Sequence, residues 1–408
     1  MKIEHPSYLF SHWPGYGPRI PYAYIMKCIL EYPPKGFEFS EDGGSTPTKD
    51  IKDYCEQWFD KAKEFDVTKE EFDKFVDSKQ PQIMYQIPKD RKCWLTTIPW
   101  YIHPNDWALE GEDIFHFLHP YIGNNHKCLG PIWDDVSARC MKAQFLLPNF
   151  KGIVTHIKDT FNSVKGVFGD EVLKKTRFAP LGIPDLGIDG KRKKDNELRI
   201  FFHGSTNHTD MHFALRGGME TLEAFKIANS KNSNIKLTIL YDEDSMFRLG
   251  QEAMNTIKTH PDITYLNRYI TKEELRKVLL NVDAVAIPAY RLHSGTCIQA
   301  LFYGLPILTC DGWGFSEYVM DGFNGLVAKG QTCSWTCDRG ILREKYTPWV
   351  IQWPLVESLA AKMLELGQDS KFYNKLSKNA RKFALENHTI EARDRYLKPI
   401  FEEFYGSD

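Results

Sequence analysis

The sequence predicts an α/β protein organised around parallel sheets, in two domains. From residue 198 to 309, short apolar runs rich in β-branched and aromatic residues alternate with helix-forming segments. That order lays helices over both faces of a parallel sheet. A charged seam, Gly190-Lys191-Arg192-Lys193-Lys194-Asp195-Asn196-Glu197, follows Leu181-Gly182-Ile183-Pro184-Asp185 and reads as a solvated linker. The length agrees: 408 residues at roughly 150 per domain make two or three domains.

The elements follow in order along the chain. Residues 11–21 form a Gly/Pro/aromatic loop after a β-like run, and residues 49–79 read as helical. Strands are expected over 83–87, 94–98 and 152–156, the last with a helix after it. Past the seam, strands are expected over 198–202, 235–240, 263–266, 284–288 and 306–309. Helices are expected over 219–227, 245–259, 271–280 and 296–303. Thr271 and Glu274 have the spacing of a capping box. From Val356 onward the chain is helical and amphipathic.

Composition narrows the function classes. Fifty-two Lys+Arg against 54 Asp+Glu leave a formal net charge of −2, so no global basic field points to nucleic acid or anionic membrane. Charged residues at 26% and hydrophobic residues at 42% are ordinary for a globular chain and exclude a disordered or collagen-like one. No apolar run approaches the ~18 residues of a spanning helix. The start, Met1-Lys2-Ile3-Glu4-His5-Pro6, lacks the apolar core of a signal peptide. A cytoplasmic protein is expected, free or resting against a membrane surface. Nine scattered cysteines read as free thiols, and Cys333 with Cys337 lacks the second pair a zinc site needs. No metal is expected.

Open parallel sheets bind ligands beyond the carboxyl ends of their strands, and three such loops carry candidate chemistry. His203-Gly204-Ser205-Thr206-Asn207-His208 leads toward Arg216-Gly217-Gly218, where small residues allow close approach and an Arg can grip phosphate. A polar surface loop with a solvated Arg fits equally well. The second, Tyr290-Arg291-Leu292-His293-Ser294-Gly295-Thr296-Cys297-Ile298-Gln299, enters a helix whose first N–H groups suit an anion. An ordinary helix start is its bland reading. The third, Cys310 to Val327, places Glu317 among Gly-marked turns. A lone Glu there is ordinarily a helix-dipole partner.

Gly304-Leu305-Pro306-Ile307…Gly312-Trp313-Gly314-Phe315-Ser316-Glu317-Tyr318-Val319-Met320-Asp321-Gly322-Phe323-Asn324-Gly325-Leu326-Val327 resembles the signature of the family 4 (group 1) glycosyltransferases. Residues 263–288 resemble the stretch that precedes it in that family. The resemblance covers about 198–330, and the first half is similar in layout alone. It implies the GT-B fold, two Rossmann-like domains facing across a cleft. The division would be 1–190 for the acceptor, 191–375 for a nucleotide-sugar, and 376–408 as helices packing back on the first domain.

The resemblance also implies a function and site residues. The activity would be hexosyl or pentosyl transfer from a nucleotide-diphosphate sugar to an acceptor hydroxyl, retaining and metal-independent, with no cofactor. Such a chain would serve carbohydrate biosynthesis. The acceptor would be a glycan, a lipid or a modified nucleobase. Arg216 takes the place of the diphosphate-gripping Lys, and Ser205 stands where the family has a partner Arg. His203 or His208 is then expected to substitute for that second cation. Of the family's paired glutamates, Arg291 falls at the first position and Gln299 at the second. Gln299 would hold the ribose hydroxyls, with Arg291 or His293 facing the sugar. Donor contacts are therefore expected from His203, Gly204, Ser205, Arg216, Arg291, His293, Ser294, Gly295, Thr296, Gln299 and Glu317. Gly15, Tyr16, Gly17 and Arg19 would form the acceptor wall, and His119 is the candidate cleft histidine, with His156 at a strand end a similar one.

Two other readings compete. The missing glutamates fit a non-catalytic nucleotide-sugar binder. A dinucleotide oxidoreductase would need a Gly-x-Gly-x-x-Gly between strand and helix, which the chain lacks.

Overall fold

The structure is a computed structural model. It describes residues 1–4, 28–40, 48–77, 91–96, 102–112, 136–188, 196–204, 210–241, 250–268, 270–289, 292–331, 336–338, 341–343 and 350–406. The expected strand over 83–87 and most of the charged seam lie outside the described residues.

The first sheet is built from β1 (Lys2–Glu4), β2 (Glu38–Ser40), β3 (Lys92–Thr96), β4 (Trp107–Glu110), β5 (Phe150–Thr155) and β6 (Thr176–Phe178). Its order is β2-β1-β3-β4-β5-β6, all parallel. Successive side chains of a strand face opposite ways, and both faces here are covered. Cys93, Leu95, Trp107, Leu109 and Ile153 face the layer of α1 (Thr48–Ala62), α2 (Lys69–Asp77), α3 (Val136–Leu146) and α4 (Asp159–Phe168), which the short α5 (Asp170–Leu173) follows. The alternate residues Trp94, Ala108 and Val154 face the C-terminal end of the chain instead.

The sequence predicts one helical stretch over 49–79; the structure folds it back into α1 and α2. The break is Asp66, at φ 56°, a left-handed conformation that Asp tolerates better than most residues. Thr68 and Glu71 then cap α2 reciprocally, Glu71 accepting the Thr68 N–H at 2.9 Å and Thr68 Oγ1 accepting the Glu71 N–H at 3.3 Å. Folding back brings the Trp58 ring edge-on to Phe72 and Phe75, at 5.1 and 5.7 Å between centroids.

The second sheet comprises β7 (Leu198–His203), β8 (Ile235–Leu240), β9 (Ile263–Leu266), β10 (Ala284–Ile287), β11 (Ile307–Cys310) and β12 (Gly325–Ala328). Its order is β12-β11-β10-β7-β8-β9, again parallel. The interleaved helices are α6 (Asp210–Leu215), α7 (Gly218–Lys231), α8 (Gln251–Thr259), α9 (Lys272–Asn281) and α10 (Ser294–Phe302). The Thr271–Glu274 capping box forms as the spacing predicts. Strand β12 is an addition, since Asp321 to Gly325 carries only turn signals in the sequence. Those turns are present, with Gly322 at φ 71°, and they deliver an edge strand.

A hairpin of β13 (Thr336–Asp338) and β14 (Ile341–Arg343) precedes α11 (Trp353–Gln368), α12 (Ser370–Asn387) and α13 (Ile390–Tyr405). Helices α11 and α12 pack on the second sheet's layer, while α13 returns to the first. The return crosses the outgoing chain, where the Ile183 N–H donates to the His388 carbonyl at 2.9 Å. Gly182 is required there, because a Cβ would lie 2.6 Å from the Thr389 carbonyl oxygen. Among the described residues, no helix is long and apolar enough to cross a membrane.

Candidate functional site

The second sheet reverses its winding between β7 and β10, since β8 lies on one side of that pair and β11 on the other. The carboxyl ends of these two strands therefore open into the crevice where such sheets take ligands. His203 and Gly204 end β7, and the segment after β10 runs into α10. The strand ends that begin two of the loops singled out in the sequence are thus neighbours.

Tight packing brings Arg216 to the same place. Gly217, at φ 76°, lies so close to the end of β10 that a Cβ would sit 2.3 Å from the Pro288 carbonyl oxygen. A Cβ on Gly218 would meet the Phe213 ring at 2.4 Å, and one on Gly204 would meet the Tyr241 ring at 2.1 Å. Glycines here let backbone press on backbone and ring, fixing the half-buried Arg216 at the start of α7. Burial, helped by the nearby Arg216 cation, lowers His203 to about 4. That lowering disfavours the charged form in which His203 would serve as the expected second cation. His208 and Ser205 lie outside the described residues.

Helix α10 begins at Ser294, and the side chain of its N-cap residue, His293, does not cap the helix. Gly295, Thr296 and Gln299 are partly exposed on its first turns. Uncapped first-turn N–H groups and the helix dipole favour an anion. Cys297, one turn in, is buried, and its thiol is pushed up by that burial and by the Glu112 carboxylate, with Arg216 acting against them. Arg216 and α10 thus share one electrostatic neighbourhood.

The third loop goes elsewhere. Both oxygens of Glu317 reach the first domain, Oε2 accepting the Lys158 N–H at 2.8 Å and Oε1 the Asp159 N–H at 3.0 Å. Glu317 therefore caps α4. Its neighbour Tyr318 donates its hydroxyl to the His156 carbonyl at 3.1 Å and stacks on His388 at 5.0 Å between centroids.

One residue at this junction is not among the candidates read from the sequence. Glu112, just past β4, accepts the Ser294 hydroxyl at 2.9 Å and lies 3.5 Å from His156 Nε2. Recognising 107–110 as a strand would have flagged it, as a carboxylate beyond a strand's carboxyl end. His119, Arg291, Gly15, Tyr16, Gly17 and Arg19 lie outside the described residues. Among the described residues, no group of three or more His, Cys, Asp or Glu is placed to hold a metal ion.

No family model and no curated protein matches the chain. Solved structures do. WaaG, a glycosyltransferase involved in lipopolysaccharide biosynthesis, matches with a TM-score of 0.56 at 15% identity over 98% of this chain and 99% of its own. Anabaena HepE, solved in complex with UDP, matches with a TM-score of 0.53 at 11% identity over 81% of each chain. S. aureus TarM, solved with Fondaparinux, α-GlcNAc-glycerol and UDP, matches at 0.53 and 11% identity over 77% of this chain, and the chain spans only 56% of TarM's length. At such identities the likeness speaks for the fold, which over nearly the whole chain is the two-domain α/β architecture, GT-B, that the motifs implied.

Proposed function

We propose that this chain is a nucleotide-sugar-dependent glycosyltransferase of the family 4 type, transferring a hexose or pentose to an acceptor hydroxyl. The observation that carries the reading is the convergence of Arg216 with the uncapped start of α10 at the winding reversal of the second sheet. HepE, solved in complex with UDP-glucose, supports a uridine diphosphate sugar as the donor.

The chemistry follows from charge. As the glycosidic bond breaks, the diphosphate leaves with growing negative charge. Arg216 and the N-terminus of α10 stabilise it there, with no metal required of them. His203 and the Gln299 amide add hydrogen bonds, the latter to ribose hydroxyls. The acceptor, a glycan, lipid or modified base, attacks from residues 1–190, with the donor held by 191–375; of the expected 376–408 return, only α13 packs back on the first domain, because α12 packs on the second. We assign the reaction retention at the anomeric carbon and the protein to the cytoplasm, free or against a membrane surface. Glu317 we assign to joining the domains, since both its oxygens are engaged by backbone N–H groups.

The test is UDP release from a panel of UDP-sugars with candidate acceptors. Turnover is expected in the wild type and its loss in Arg216→Ala. Saturable binding without turnover would favour the non-catalytic binder that Arg291 and Gln299 suggest. Neither binding nor turnover would sink the donor reading.

A further inference from the structure

The junction of the two domains holds a buried polar contact that the donor chemistry does not use. Glu112 belongs to the first domain and is 5% exposed; Ser294, the first residue of α10 in the second domain, is 2% exposed. A buried carboxylate is costly unless it is held, and Ser294 holds this one, with His156 close by. Oε1 accepts the Ser294 hydroxyl at 2.9 Å, and His156 Nε2 lies 3.5 Å away. The Glu112 backbone is anchored in turn, its carbonyl accepting the Thr160 hydroxyl at 2.6 Å. His156, 1% exposed, sits in the turn between β5 and α4, just before the helix that carries Thr160.

The direction of the Ser294 bond matters. Its hydroxyl proton goes to Glu112, and α10 carries no side-chain cap. Ser294 therefore ties the first turn of its helix to the other domain, and among the described residues its hydroxyl does not cap that turn. We propose that Glu112 is a positioning residue, which holds the first turn of α10 in place through Ser294 so that donor affinity depends on the acceptor-side domain. This rests on the reading of α10 as the donor diphosphate site. It extends that reading with a specific link between the two halves of the protein.

The test uses the full chain as wild type, Glu112→Ala, Ser294→Ala, the double variant and Glu112→Gln. UDP affinity is measured by calorimetry, and hydrogen exchange of the α10 amides is measured without ligand. Each alanine variant is expected to weaken UDP about tenfold, with the double variant no weaker than the poorer single one, as residues acting through one bond behave. Glu112→Gln keeps an acceptor oxygen for Ser294 and should stay within about twofold of wild type. Exchange at the start of α10 should quicken in both alanine variants. Additive losses, or UDP affinity unchanged in Glu112→Ala, would overturn the proposal. Should Glu112→Ala fail to fold, Ser294→Ala and Glu112→Gln decide: equal UDP affinity in both refutes it. If the wild type binds no nucleoside diphosphate, the donor reading falls. The tie is then judged by exchange alone, and unchanged α10 protection refutes it.

Discussion

Glu317 reaches from the second domain to the first and accepts the backbone N–H of Lys158 at 2.8 Å. Its other oxygen takes the Asp159 N–H, so a carboxylate of one domain caps a helix of the other. Charge and dipole agree, since an anion at a helix N-terminus is favourable. The hairpin strand β13 packs on the same helix, α4. The Glu317 side chain and β13 thus meet the same helix.

Glu317→Ala removes that cap. The expected cost is about 1–2 kcal/mol, read as a fall of a few degrees in Tm. Faster exchange should be confined to the first turn of α4. An unchanged melting curve would show the contact to be energetically idle.

Glu220 gives a pH dependence with a definite sign. It is 6% exposed, and burial pushes its carboxyl up to about 7, against the bond it accepts from the Gln352 N–H. A raised folded-state value means the fold binds the proton more tightly than the unfolded chain. Stability from this group is complete below about 4.5, and it is lost as pH rises through about 7. Glu220→Gln keeps the acceptor and cannot ionise. It should match wild type at pH 4 and exceed it by up to about 3 kcal/mol at pH 8. Denaturant titrations at the two pH values would show this, and an equal gap at both would refute it.

His388 acts at the other end of the scale. Burial lowers it to about 4, against the bond its Nδ1 makes to the Leu181 carbonyl at 3.0 Å. Here the unfolded chain binds the proton more tightly, so stability is complete above about 6.5 and is lost as pH falls through about 4. His388→Gln should lose up to about 3 kcal/mol of this acid-limb dependence. A wild-type slope retained between pH 6.5 and 4 would rule His388 out as its source.

Gly217 is expected to tolerate no side chain. Gly217→Ala would carry both a left-handed φ of 76° and a Cβ 2.3 Å from the Pro288 carbonyl oxygen. The loss should be about 3 kcal/mol, with UDP affinity falling because Arg216 shifts. Stability within about 0.5 kcal/mol of wild type would mean the α7 start can yield, and that Arg216 is not fixed by this packing.

Most of the second sheet is legible in the chain. Its strands over 235–240 and 263–266 fall where the apolar runs place them, and Thr271 caps α9 as its spacing to Glu274 predicts. Local propensity and capping are enough for such elements, because each depends on neighbours a few residues away. The first domain is less legible. Its single helical stretch turns at Asp66 so that Trp58 can reach Phe72, and no local signal announces that packing.

For the site, the sequence by itself determined which residue types stand at the strand ends: Arg216 beside its glycines, and Ser294 to Gln299 at a helix start. Tertiary structure alone decided what they meet. Strand order put the ends of β7 and β10 side by side, domain contact turned Glu317 toward α4, and burial lowered the His203 imidazole below its ordinary value. Ser294 and Glu112 are separated by 182 residues and bonded at 2.9 Å. A pairing of that kind follows from how the two domains pack, and local sequence pattern carries no record of it.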